Sequence, residues 1–179
     1  KTGYTFNGWY DKEGNLVSRN ASYVYKVESG KVEELYAYFE PNGYDVIINS
    51  STVGDSEDLS KYFEIKCTFS NLRENSLYVI AGLSSENITI DGEKVTNPIT
   101  LKSDEFGNAT ITIYMKHDDT ARFVYLPENC VYSIQSADYS KSGYSVRGEV
   151  ESQTLLETSL VELIFYKATQ YVSIETGKH

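Results

Sequence analysis

Cysteine, histidine, proline and methionine are all scarce in this chain, and each shortage removes a class of explanation. Two cysteines, Cys67 and Cys130, and two histidines, His117 and His179, stand among 179 residues. Their spacing fits no metal-ligand pattern, so no metal and no cofactor is expected. Long Ala/Leu/Glu/Lys stretches are missing, and with them any extended amphipathic helix. No apolar run approaches the length of a membrane span, so this segment is not expected to insert into a bilayer. Basic residues are outnumbered, with 16 Lys and Arg against 26 Asp and Glu and a net charge of −10. An acidic surface repels a phosphate backbone, which argues against a nucleic-acid partner and reads most simply as solubility. The chain opens mid-phrase at Lys1 and closes on Gly177-Lys178-His179. It reads as a segment of something longer, so the absence of a targeting signal excludes nothing.

Tyrosine is the residue in excess, with 16 copies beside 7 Phe and 1 Trp. Aromatic and β-branched side chains fit a pleated, half-buried surface, so the composition points to an all-β protein with a packed core. The periodicity agrees. Phe63, Ile65, Cys67 and Phe69 alternate with polar neighbours, as do Ala109, Ile111 and Ile113. Further short strands are expected at Val46–Ile48, Leu77–Leu83, Ile88–Ile90, Phe123–Tyr125, Val131–Ser136, Tyr144–Val150 and Ser159–Phe165. Asp91-Gly92 reads as a hairpin turn, and Asp55–Ser60 as one helical turn. Short strands at this spacing imply a sandwich or a barrel. Ahead of them lie an aromatic run at Gly3–Tyr10, an alternating run at Ala21–Val27, and a closing strand at Glu33–Phe39. Pro41-Asn42-Gly43 breaks the pattern and marks a boundary, giving units at 1–41 and 44–175.

The first unit resembles a known repeat. Gly3-Tyr4-Thr5-Phe6-Asn7-Gly8-Trp9-Tyr10, the turn at Gly14, Val17-Ser18, Ala21-Ser22-Tyr23 and Leu35-Tyr36-Ala37-Tyr38-Phe39 are similar to the internalin B-type repeat of bacterial surface proteins. The resemblance implies a small β-grasp-like module whose opening strand is not in this chain. It brings no binding residues with it.

Residues 46–167 resemble the streptococcal-type pilin isopeptide, or CnaB, family. The phrases are Thr52-Val53-Gly54-Asp55, Lys61-Tyr62-Phe63-Glu64-Ile65, Gly107-Asn108-Ala109-Thr110-Ile111, Leu126-Pro127, Tyr132-Ser133-Ile134, Ser142-Gly143-Tyr144 and Ile164-Phe165. The resemblance implies an immunoglobulin-like β-sandwich that welds itself shut. A Lys on the first strand attacks an Asn on the last while a buried acid moves protons, chemistry that burial makes possible by shifting both pKa values. Here the three positions fall on Ser50 (or its neighbour Ser51), Ser136 and Lys167. The module is therefore expected to lack the crosslink.

The remaining features weigh as follows. Cys67 and Cys130 take inward positions by alternation. They are either two buried free thiols or a disulfide closing a loop of roughly sixty residues, stabilising by about 4 kcal/mol. Asp55/Glu57/Asp58, Asp104/Glu105 and Asp118/Asp119 read as solvated turns, because none matches an EF-hand spacing. His117 beside Asp118 has no nucleophile at readable spacing. Four Asn-X-Ser/Thr sequons, at Asn20, Asn49, Asn87 and Asn108, read as chance. Trp9 reads as core of its small unit rather than a sugar-stacking platform, and Tyr139 and Tyr171 as exposed candidates for partner contact. No motif gathers titratable groups as an active site would, so no enzyme is expected. Taken with the two resemblances, this implies a non-catalytic, monomeric module of a longer Gram-positive surface protein, extracellular and associated with the cell wall. Its role would be stalk, spacer or adhesin. The alternative is direct binding of a host protein or glycan.

Overall fold

The computed structural model describes residues 3–54, 58–83, 88–90, 93–94 and 99–168. Its contacts divide the chain into two compact units, Lys1–Gly43 and Tyr44–His179. The described residues are almost wholly strand and turn, and the protein is an all-β sandwich protein.

The first unit is a three-stranded antiparallel sheet of β1 (Tyr4–Tyr10), β2 (Leu16–Ser18) and β3 (Tyr36–Pro41), in the order β2-β1-β3. The β1–β2 turn forms around Asp11. Its carboxylate accepts the backbone N–H groups of Asn15 and Glu13. Those bonds, led by the one from Asn15, hold the Asp11 carboxyl below its ordinary pKa. A bulge between Phe6 and Gly8 re-aims β1. Gly8 is needed there: φ is +132°, and a Cβ would stand 2.7 Å from the Leu16 side chain. Phe6 makes edge-on contacts with Trp9 and Phe39 on one face, while Tyr10 meets Tyr38 on the other. The alternating run Ala21–Val27 forms no strand, contrary to expectation. Alternation makes a strand only where one face can be buried, and Tyr23, Val24, Tyr25 and Val27 all remain exposed.

The second unit stacks two six-stranded sheets. Its strands are β4 (Gly43–Val53), β5 (Phe63–Ser70), β6 (Leu77–Ala81), β7 (Ile88–Ile90), β8 (Glu93–Lys94), β9 (Thr100–Lys102), β10 (Ala109–Met115), β11 (Thr120–Pro127), β12 (Val131–Ser136), β13 (Tyr144–Arg147), β14 (Val150–Thr154) and β15 (Ser159–Lys167). One sheet runs β14-β12-β5-β10-β7-β8, the other β13-β15-β4-β11-β6-β9. The alternation read from the sequence is the burial pattern observed. Phe63, Ile65, Cys67 and Phe69 on β5 face Ile111, Ile113 and Met115 on β10 across the same sheet. Val46 and Ile48 on β4, with Val161, Leu163 and Phe165 on β15, supply the opposite layer. Tyr125 (φ +54°) interrupts β11, so that Phe123 and Leu126 both point inward. The Asp45 carboxylate secures that kink by accepting the Tyr125 N–H and pairing with Arg122.

The expected helical turn at Asp55–Ser60 lies partly outside the described residues. What is described is a turn in which the Asp58 carboxylate accepts both the N–H and the hydroxyl of Ser60. β7 and β8 pair antiparallel, and the Asp91-Gly92 turn between them also lies outside the described residues.

Candidate functional site

The first and last strands of the sandwich, β4 and β15, lie side by side and parallel, with Ser50 opposite Leu163 and Thr52 opposite Phe165. Alternation from Val46 and Ile48 carries Ser50 and Thr52 inward, and each is 2 % exposed. Neither hydroxyl has a hydrogen-bond partner. The backbone around them is satisfied. Ser50 exchanges bonds with Asp119 and Asp118, and the Thr52 N–H donates to Nδ1 of His117 at 3.0 Å. With Nδ1 accepting, the neutral His117 ring carries its proton on Nε2, which lies 3.4 Å from the Asp118 carboxylate. His117 thus pins the end of β4. Ser50, Thr52 and Ser103 are the buried polar residues among those described, and no charged side chain joins them.

The other two positions singled out by sequence lie elsewhere. Ser136 ends β12 opposite Ile65. Its hydroxyl donates to the Ala137 carbonyl, and its N–H donates to the Glu149 carboxylate. Lys167 ends β15 opposite Tyr144. Its ammonium donates to the Ser142 carbonyl and lies 4.6 Å from the Tyr144 ring centre. The Lys167 backbone presses on Gly54, where a Cβ would come within 2.7 Å of the Lys167 carbonyl oxygen. Ser50 is four residues back along β4, roughly 13 Å away at the rise of an extended strand. Ser136 and Lys167 therefore flank one end of the sandwich, and Ser50 does not meet them.

That end is built of aromatic rings. Phe63 stacks on Phe165 with centroids 3.8 Å apart, and meets Tyr139 and Tyr144 edge-on at 5.0 and 5.1 Å. The Lys61 ammonium stands 5.2 Å from the Tyr139 ring centre and 5.8 Å from that of Tyr144, inside cation–π range. Ser136, Tyr139, Tyr144, Glu149 and Phe165 line a cleft of about 330 Å³ beside it. Tyr139, read from the sequence as an exposed candidate for partner contact, is half-buried: its hydroxyl accepts the Glu64 N–H at 2.7 Å and its ring packs on Phe63. Tyr171 lies outside the described residues. Lys61, Phe63, Tyr144 and Phe165 sit in phrases the sequence made conspicuous, but only strand register brings them together with Tyr139.

The two thiols are free and buried. A disulfide between them does not fit this register. Cys67 is opposite Ile134, whereas Val131 pairs with Ser70 and Cys130 lies one residue beyond. That separation is roughly 10 Å or more, against about 4.4–6.8 Å between the Cα atoms of a bridged pair. Burial pushes the Cys130 thiol up to about 12 and the Cys67 thiol higher still. Neither is a nucleophile near neutrality.

The acidic turns serve their own backbone. Asp104 accepts the N–H groups of Phe106 and Asn108, and Asp119 accepts that of Lys116. Among the described residues no three His, Cys, Asp or Glu side chains converge as a metal site would require.

Residues 44–167 match a protein family described as "Domain of unknown function (DUF7601)". No curated protein matches the chain. Among solved structures, the pilus-presented adhesin Spy0125 (Cpa) aligns over 72 % of this chain and 28 % of its own, at 18 % identity and a TM-score of 0.50. A major pilin (T3.2) from Streptococcus pyogenes aligns over 92 % of this chain and 61 % of its own, at 14 % identity and a TM-score of 0.51. At such identities the likeness is one of fold. The chain spans less than two thirds of either protein.

Proposed function

The chain belongs to the DUF7601 family, and we propose that it is a non-catalytic module of a Gram-positive surface protein, serving as a stalk or adhesin segment. The observation that carries the reading is the sandwich itself, similar over most of the chain to a major pilin from Streptococcus pyogenes. Fold analogy supports the reading. Residues 44–175 are the pilin-like sandwich in this reading, and residues 1–41 an internalin B-type repeat ahead of it. Ser50, Ser136 and Lys167 are the degenerate positions of a lost isopeptide. The buried polar residues favour that assignment, because Ser50 and Thr52 cannot supply an amine or an acid.

Two measurements test it. Protease shaving of intact producing cells releases peptides of this chain if it is displayed; recovery only after lysis sinks the reading. The denatured, unreduced chain has its full calculated mass if no isopeptide forms, and a deficit of one ammonia overturns the lost-crosslink assignment.

A second reading, direct binding of a host glycan or protein, is favoured by Tyr36 and Tyr38. Both are about half exposed on the same face of β3 as the Tyr10 ring contact. Retention on a glycan array that is lost in Tyr36→Ala would move the weight to it.

A further inference from the structure

The parallel pairing of β4 and β15 has a mechanical meaning. Eight residue pairs stand in register, from Ser159 opposite Val46 to Tyr166 opposite Val53. Because the strands run the same way, the chain joins β4 at one end of the seam and leaves β15 at the other. Tension along the chain therefore draws the two strands past each other along their length. All eight rows are loaded together, over roughly 26 Å of extended strand. Had the strands been antiparallel, both attachments would share one end and the rows would open one at a time.

The surroundings hold the seam at both ends. The Asp45 N–H donates to the Thr158 hydroxyl at the start, and the Ala168 N–H donates to the Gly143 carbonyl at the finish. β13 buttresses β15 from the other side, with Arg147 opposite Ile164 and Tyr144 opposite Lys167. Gly54 lets the Lys167 backbone close onto the end of β4. Ser50 faces Leu163 across the middle, a pair that cannot join covalently.

We infer that β4 and β15 form a non-covalent shear clamp, which resists tension along the chain, yields above a threshold and re-forms when the tension is released. Its use rests on the stalk reading, but its geometry does not. It would make this module an extensible, self-resetting element rather than a rigid strut.

Single-molecule stretching of the full chain tests the clamp in two geometries. In one, the handles are at Lys1 and His179. In the other, they are at Lys1 and at a clickable side chain replacing Leu156, which is exposed just ahead of β15. The second geometry loads both strands from the same end and peels them apart. Events of the two units are told apart by the length of chain released. The expected result is a severalfold higher unfolding force for the sandwich pulled end to end, recovered over repeated stretch and relaxation cycles on one molecule. Equal forces in the two geometries would overturn the clamp, and failure to recover would overturn its resetting. Neither result depends on where the protein is displayed, so failure of the clamp and failure of the stalk reading separate.

Discussion

The two units draw on one aromatic-rich composition and do opposite things with it. Among the described residues, every member of the hydrophobic core lies between Val46 and Phe165, in the second unit, where two sheets close on each other. In the first unit the described strands form one three-stranded sheet. Tyr4, Leu16, Tyr36, Tyr38 and Phe39 stay exposed, and its aromatic contacts are a trio around Phe6 and the Tyr10–Tyr38 pair rather than a sealed interior. A sheet stabilises in proportion to what covers it. A unit of this size with one layer is near the limit of what apolar burial can hold.

The sharpest way to break this contrast is Phe63→Ala. Phe63 is fully buried and touches three rings, so its loss costs about 3–5 kcal/mol in urea unfolding of the sandwich. A change below about 1 kcal/mol would mean that the aromatic end is not core. Gly148→Ala comes next. At φ +94° its Cβ would lie 1.8 Å from the Glu162 carbonyl, so β15 must shift, at roughly 2–4 kcal/mol. Phe6→Ala probes the other unit. It removes two ring contacts in a half-open sheet and costs only about 1–2 kcal/mol, read as faster amide exchange over residues 4–41. A loss as large as that of Phe63→Ala would show that the first unit has a core after all.

Two smaller effects sharpen the picture inside the sandwich. Ser50→Ala removes a buried, unpaired hydroxyl and is expected to stabilise by about 1 kcal/mol, visible as a raised melting temperature. A lowered one would show that the hydroxyl has a partner. The thiols give the last test. Cys130 is raised to about 12 in the fold from an ordinary value of 9.0, so folding binds that proton more tightly. Its contribution is fully present below pH 9, and stability falls as pH rises from about 9 towards 12. Chemical denaturation across that range checks the sign. Thiol-reactive dyes should label both cysteines only after unfolding.

The sequence reads faces far better than it reads neighbours. Phe63, Ile65, Cys67 and Phe69 were legible as one inward row because a sheet with one buried face must alternate. The same rule placed Cys67 and Cys130 inside, correctly. It could not say that they sit three or more register positions apart, because register depends on the partner strand. The exposure of Tyr139 was misread for the same reason, because only the β5–β12 pairing brings it onto Phe63, where it is half-buried. Ala21–Val27 failed in the other direction, with a strand-like pattern and no layer to receive it. Phe63, Tyr144 and Phe165 of the aromatic end were legible one by one, and the cluster they form with Tyr139 was not.

The seam between β4 and β15 also governs when this protein can finish folding. Asp45 and Thr158, bonded at its start, are 113 residues apart in the chain. A nascent or exported chain emerging N-terminus first presents β4 long before β15 exists to pair with it, so one side of β4 stays an open edge through the whole of that interval. Closure of such a distant pair is slow, and an open edge invites foreign strands. Three of the five outward residues of β4 from Asp45 to Val53, namely Asp45, Asn49 and Ser51 beside Ile47 and Val53, are polar, and they read in this light as protection during biosynthesis, guarding a vacancy that only the last strand can fill.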